Sequence, residues 1–271
     1  MRTIIAPTNF SEESIHAVNY AADMALTIDA DLLLLHVIEM PVSFDVPLTQ
    51  YEYDSLLEDA EDELYELRKQ LLIRTEAEIN ISTRAIFSTM ENAMAEIGEE
   101  KKPFIIVIGP AKDTLAERYF FRSNTFTVLK NLHYPVIVVP QNAVFRHIKR
   151  IGLATDLKDI YDVPVNAIRS LANIFKAGVD IIHVCKNEDD KIENAARLTI
   201  LKDRLKEFDP VAQFIISDNV EEALNKYAAQ HHDDVLMVVG KKYNFFESLI
   251  HKSHSRQIAR HTEIPVIAVA E

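Results

Sequence analysis

"FIIVIG", residues 104–109, and "VLMVVG", residues 235–240, decide the fold, because each is a short β-branched run closed by a glycine. An apolar run of that length, bounded by a turn residue, is the pattern of a strand buried on both faces. Meeting it twice prompts a search for a repeat. "TNFSEESIHAVN" from Thr8 answers "TDLKDIYDVPVN" from Thr155, an offset of 147. The same offset sets "ADLLLLHV" (Ala30 to Val37) on "AGVDIIHV" (Ala177 to Val184). "YPVIVVP" from Tyr134 answers "IPVIAVA" from Ile264. The chain is a tandem duplication with its join near "QNAVFRHIKR", residues 141–150.

The offset shrinks to 131 at the glycine and 130 at the proline, so the first copy holds extra residues, mostly around "MPVSFDVPLTQYEYD" (40–54). Domains of 1–143 and 144–271 follow. Copy one predicts strands near 3–8, 31–38, 82–88, 104–109 and 134–139, with helices near 11–27, 54–79, 90–100 and 115–132. Copy two repeats the pattern, with strands near 149–155, 179–185, 212–217, 234–239 and 264–270. Five apolar strands alternating with helices imply an α/β domain with a doubly wound, parallel, Rossmann-like sheet. Ligands bind such sheets beyond the carboxyl ends of the strands, at the switch point. If strands one and four flank it, "PTNF" and Gly109 face one crevice.

Composition narrows the class. The chain has 271 residues, 48% hydrophobic and 26% charged, enough for two ordinary cores. A net charge of −13 argues against a nucleic-acid partner. The single Cys185 excludes an internal disulfide framework and fits a reducing compartment. No apolar segment is long enough to span a bilayer, and "MRTIIAPTNF" turns polar too early for a signal peptide, so a soluble, cytoplasmic protein with no membrane partner is expected. Acidity concentrates in "YEYDSLLEDAEDELYELRKQ" (51–70), where Leu57, Ala60, Leu64, Leu67 and Leu71 fall at helical spacing and the carboxylates form a solvated flank.

"IIAPTNFSEES", "LLLLHVIE", the glycine closing strand four and "PVIVVP" resemble the universal stress protein family. The second copy matches through "GLATDLKD", "DIIHVCK", "VLMVVGKK" and "IPVIAVAE". The resemblance covers essentially the whole chain, and it implies two fused five-stranded domains that form their own pseudo-dimer, with further homo-oligomers open. It also implies a choice. Some members bind ATP through a loop G-x-x-G-x9-G-[ST] after strand four, aided by an aspartate after strand one; others lack the glycines and do not bind it.

Placed on that pattern, the aspartate position holds Asn9 in copy one and Asp156 in copy two. In "GPAKDTLAERYFFRSN" (109–124), Gly109 and Ser123 match, while Lys112 and Arg122 replace glycines. In "GKKYNFFESLIHKSH" (240–254), Gly240 and Ser253 match, while Tyr243 and Lys252 replace them. A side chain at such a position blocks backbone amides from a phosphate. Only five glycines (98, 109, 152, 178 and 240) exist, so no second glycine-rich loop compensates, and no G-K-[ST] loop is present. Basic residues precede each serine, in Arg122-Ser123-Asn124 and Lys252-Ser253-His254, and such cations either face solvent or take over an anion.

The expected ligand is ATP or another adenine nucleotide, or a small phosphorylated molecule, held weakly or in one domain only. Thr8, Asn9 and Val37 would approach base or ribose, with Gly109, Lys112, Arg122, Ser123 and Asn124 toward phosphate. Thr155, Asp156, Val184, Gly240, Lys252, Ser253 and His254 are their counterparts. No metal is expected: "HHDD" (231–234) reads as a polar turn, with His251, His254 and His261 beyond it. The repeated His36 and His183 read as core groups satisfied within a buried strand. No G-x-S-x-G elbow or C-x-x-C pair specifies catalysis. The expectation is a stress-response binding or regulatory module, not an enzyme, with a degenerate ATP site. The alternative is an interaction scaffold that binds no nucleotide and whose loops are only surface.

Overall fold

The computed structural model describes residues 2–39, 49–110, 134–157, 160–231, 233–239 and 264–269. The chain divides into two compact units, Met1–Gln141 and Asn142–Glu271.

Unit 1 runs β1 (Arg2–Pro7), α1 (Glu12–Ile28), β2 (Ala30–Ile38), α2 (Gln50–Arg74), β3 (Ile81–Phe87), α3 (Met90–Lys101), β4 (Ile105–Ile108) and β5 (Val136–Val138). The strand order is β3-β2-β1-β4-β5, and every pairing is parallel. Ile4, Ile5, Leu32, Leu34, Ile105 and Val107 are wholly shielded from solvent. Helices cover both faces of those strands, so their sequences carry no polar alternation. The edge strand β3 reads "ISTRAIF" and leaves Ser82 and Thr83 exposed.

Local signals set the helix limits. Ser11 caps α1 by accepting from the Ser14 amide at 3.3 Å, and Asp29 ends it in the left-handed region at φ 52°. The inner face of α1 is mostly small (Ala17, Ala21, Ala22, Ala25), which lets it lie close on the sheet. α2 occupies Gln50–Arg74 rather than the expected 54–79. Thr49 and Glu52 close a capping box that starts it early (2.8 and 3.3 Å). Glu76 and Ala77, at φ 50° and 56°, stop it. Of its expected apolar stripe, Ala60, Leu64, Leu67 and Leu71 are buried and Leu57 is half-buried. The expected helix at 115–132 lies outside the described residues.

Unit 2 runs β6 (Arg150–Ala154), α4 (Val165–Phe175), β7 (Gly178–Cys185), α5 (Glu188–Arg204), a 3-10 turn (Lys206–Phe208), β8 (Val211–Ile216), α6 (Val220–His231), β9 (Val235–Val239) and β10 (Val266–Val269). Its order, β8-β7-β6-β9-β10, reproduces that of unit 1, again all parallel. One element departs from the repeat. The offset from α1 would start α4 at 159, yet it starts at Val165 behind Pro164, with no side-chain cap. Copy two has Lys158 where Ser11 caps copy one, and Pro164 has no N–H to give a preceding helical turn.

Candidate functional site

β1 pairs with β2 on one side (Ile4↔Leu32) and with β4 on the other (Ile4↔Ile105). The connections leave β1 in opposite directions, so unit 1 has its switch point between β1 and β4, as the spacing of "PTNF" and Gly109 predicts. β6 holds the same place in unit 2, between β7 and β9.

Thr8 closes β1 and is 4% exposed. Its amide donates to the Leu35 carbonyl (2.8 Å), its hydroxyl meets that of Ser14 (3.0 Å) and accepts from the Phe10 amide (3.0 Å). Its carbonyl accepts from His36 Nδ1 at 2.8 Å. Every polar group of Thr8 is thus used, by the loop and by β2. Asn9 is partly exposed, and its Oδ1 accepts from the Ser11 amide (3.2 Å) and hydroxyl (2.7 Å). Its amide nitrogen has no hydrogen-bond partner among the described residues. Val37 is buried in β2, in register with Ile86.

Gly109 ends β4 within reach of the first turn of α1. A Cβ there would lie 2.6 Å from the Glu13 carbonyl oxygen and 2.9 Å from its carbon. Packing alone therefore demands glycine. Glu13 itself is 3% exposed, and its carboxylate accepts from the Gln141 side chain, beyond β5. Glu12 and Glu13 already supply negative charge to the α1 N-terminus, where a phosphate would otherwise sit. The Phe10, Ser11 and Ser14 amides are occupied by side chains of the same loop.

Two features here have no sequence signal. Phe10 and Leu157, equivalent in the repeat, both adopt left-handed backbone, at φ 62° and 56°. Neither is a glycine or asparagine, so the conformation is imposed by surroundings. Phe10 stacks on His36, ring centres 4.6 Å apart, and Leu157 is fully buried. The second feature is the burial of Glu13, whose type and position suggest only a helix start.

In unit 2, Thr155 repeats the knot: its amide donates to Ile182 (3.2 Å) and its carbonyl accepts from His183 Nδ1 (2.8 Å). Asp156 is exposed and Val184 half-buried. Of the two histidines expected in the core, His183 is buried and His36 only half-buried, and each is held through Nδ1. A carbonyl can only accept, which fixes the proton on Nδ1, and His183 Nε2 is buried without a partner. Burial holds His36 below its usual 6.5, against the opposing pull of the Thr8 bond and the Glu63 charge. The late start of α4 leaves no helix N-terminus beside Asp156; in front of that helix lies an open cleft of about 480 Å³. Its arginines are engaged, Arg169 with Glu207 (2.5 Å) and Arg204 with the Ile160 carbonyl (2.5 Å).

Lys112, Arg122, Ser123, Asn124, Gly240, Lys252, Ser253 and His254 lie outside the described residues. Among the described residues there is no group of three or more His, Cys, Asp or Glu able to hold a metal. No helix among them is long and apolar enough to cross a membrane. Cys185 is buried, with its thiol pushed up by desolvation.

Comparison with known proteins agrees with the topology. The model of the universal stress protein family matches residues 1–140. A universal stress protein of Methanocaldococcus jannaschii is 29% identical over 139 residues, which cover 51% of this chain and 81% of that protein. A solved universal stress protein from Archaeoglobus fulgidus superposes with a TM-score of 0.71 at 17% identity, over 99% of this chain and 96% of its own. A Pseudomonas aeruginosa protein of unknown function gives a TM-score of 0.54 at 11% identity, over 100% and 92%.

Proposed function

Because the chain belongs to the universal stress protein family, we propose that it is a cytoplasmic, non-enzymatic binding module whose adenine-nucleotide site is degenerate. The nucleotide reading rests on the unit 1 switch point, where β1 and β4 end side by side at Asn9 and Gly109 and α1 starts above them. Asn9 offers a neutral donor suited to a ribose or base. Unit 2 keeps Asp156 but has no helix start beside it, so unit 1 is the better half. The ligand is held weakly: the Phe10, Ser11 and Ser14 amides are spent on side chains of the loop, and two acidic residues, Glu12 and Glu13, open the helix at whose N-terminus a phosphate would sit.

The observation that favours a scaffold without nucleotide is the fit of Gly109 against Glu13, which accounts for that glycine with no ligand at all. Native mass spectrometry of the purified chain, followed by titration with ATP, ADP and AMP, separates the two readings. Binding at micromolar to millimolar concentration, abolished or shifted by Asn9→Ala, supports the nucleotide site. No binding of any of the three at millimolar concentration leaves the scaffold.

A further inference from the structure

Unit 2 buries an ionisable cluster on the strands that carry its switch point. Arg150 of β6 pairs with Asp180 of β7 through Nε (3.3 Å) and a closer Nη2 contact. Asp233, just before β9, is 4% exposed, and neither of its carboxylate oxygens meets a donor from a described residue. What it does meet is a second carboxylate, that of Asp180. The Tyr227 hydroxyl of α6 is equally shielded and has no hydrogen-bond partner among the described residues. His231 stacks on the Tyr227 ring at 4.0 Å, and Asp234 accepts from the amides of Lys149 (2.7 Å) and Arg150 (3.0 Å).

The fold is shaped around this cluster. A Cβ on Gly152 would stand 2.5 Å from Asp233 Oδ2, and a Cβ on Gly178 would stand 2.5 Å from Arg150 Nη1. Two of the five glycines thus make room for its charged groups. The repeat shows what was exchanged: Gly152 and Asp180 correspond to Ile5 and Leu33, both core residues of unit 1. Arg150 pairs with Asp180, so among the described residues the second buried carboxylate, Asp233, has no ion-pair partner. A proton on Asp233, donated to Asp180, closes the balance.

We propose that the Arg150–Asp180–Asp233–Tyr227 cluster is a proton switch that holds the α6–β9 junction of unit 2 closed in mild acid and releases it at neutral to alkaline pH. Burial, together with the Asp180 and Asp234 charges, pushes Asp233 up to about 7, against the pull of Arg150. The unfolded carboxyl ionises near 3.8. Between those values the folded unit holds a proton that the unfolded chain has lost, so stability falls as pH rises through the window and levels off above it. The unfolding equilibrium shifts by up to about tenfold per pH unit there. Because Gly152 and Asp180 lie on β6 and β7, the cluster grips the strand that leads into Thr155 and the strand that carries His183.

The test uses the full chain. Hydrogen exchange of β7 and β9 amides, corrected for intrinsic rates, is measured from pH 5 to pH 8 for wild type, Asp233→Asn and Asp180→Asn. Wild-type protection in unit 2 is expected to fall up to about 100-fold between pH 5 and 7. Asp233→Asn, which keeps the neutral form, loses most of that dependence. An unchanged dependence in Asp233→Asn overturns the proposal, since other groups then account for it. If the variants fail to fold, the wild-type carboxyl resonances decide: an Asp titrating near its ordinary value at every site, with none near 7, refutes the switch.

Discussion

Gly109→Ala separates a packing glycine from a phosphate glycine. The added Cβ would lie 2.6 Å from the Glu13 carbonyl oxygen, well inside van der Waals contact, and the obstacle is backbone in a capped first turn. Neither partner can swing away as a side-chain tip would, so β4 or α1 must shift by several tenths of an ångström. Overpacking of this kind costs about 1–3 kcal/mol. Gly109 is not in the left-handed region, so alanine gains about 0.4–1 kcal/mol through the unfolded chain. The net expectation is a loss of roughly 1–2 kcal/mol from unit 1. The loss should be present without nucleotide, read as faster exchange of β1 and β4 amides and an earlier urea transition. A variant as stable as wild type, but with weaker ATP binding, would refute the argument and return Gly109 to the ligand.

Glu13→Gln removes a buried negative charge beside the crevice and should raise ATP affinity on the order of tenfold by calorimetry; unchanged affinity would place the phosphates elsewhere. Because burial lowers His36 below 6.5, the unfolded imidazole takes its proton first, and unit 1 should lose stability as pH falls through 6.5. Exchange in β1 and β2 would report that loss, opposite in sign to the trend of unit 2. Thr49→Ala breaks the α2 capping box and should cost about 1 kcal/mol, localised to amides of its first turn. Arg74→Ala cuts a bidentate pair with Asp23 that is part-exposed at both ends, so its effect should stay within about 1 kcal/mol.

The fold was legible because its evidence is periodic and doubled. Apolar runs such as "FIIVIG" and "VLMVVG" announce strands shielded on both faces, and the repeat orders them without any long-range information. What escaped divides into helix starts set by local caps and features fixed by neighbours distant in sequence. The α2 start depended on which threonine closed a capping box, and the α4 start on the loss of a cap at Lys158. Phe10 and Leu157 have no local reason for positive φ; the stack on His36 and the buried pocket of Leu157 supply it. Asp180 and Asp233 are 53 positions apart in the numbering, so no motif could disclose that the two carboxyl groups share one buried cluster.

The glycine that first suggested a phosphate loop illustrates why a motif must be weighed against packing. In unit 1 the β1–α1 loop satisfies part of itself: Thr8, Asn9 and Ser11 take the amides of Phe10, Ser11 and Ser14, and Glu12 and Glu13 answer the helix dipole. Each of those bonds would have to be broken or bypassed for a phosphate to bind by backbone amides, at a net cost of about 0.5–1.5 kcal/mol apiece. Under the proposed nucleotide reading, side chains such as Asn9 must therefore carry more of the recognition than backbone amides do. The same logic inverts the meaning of the polar residues in unit 2. There the glycines admit charge into the core rather than a ligand to the surface, and the two copies differ by where each one spends its electrostatics.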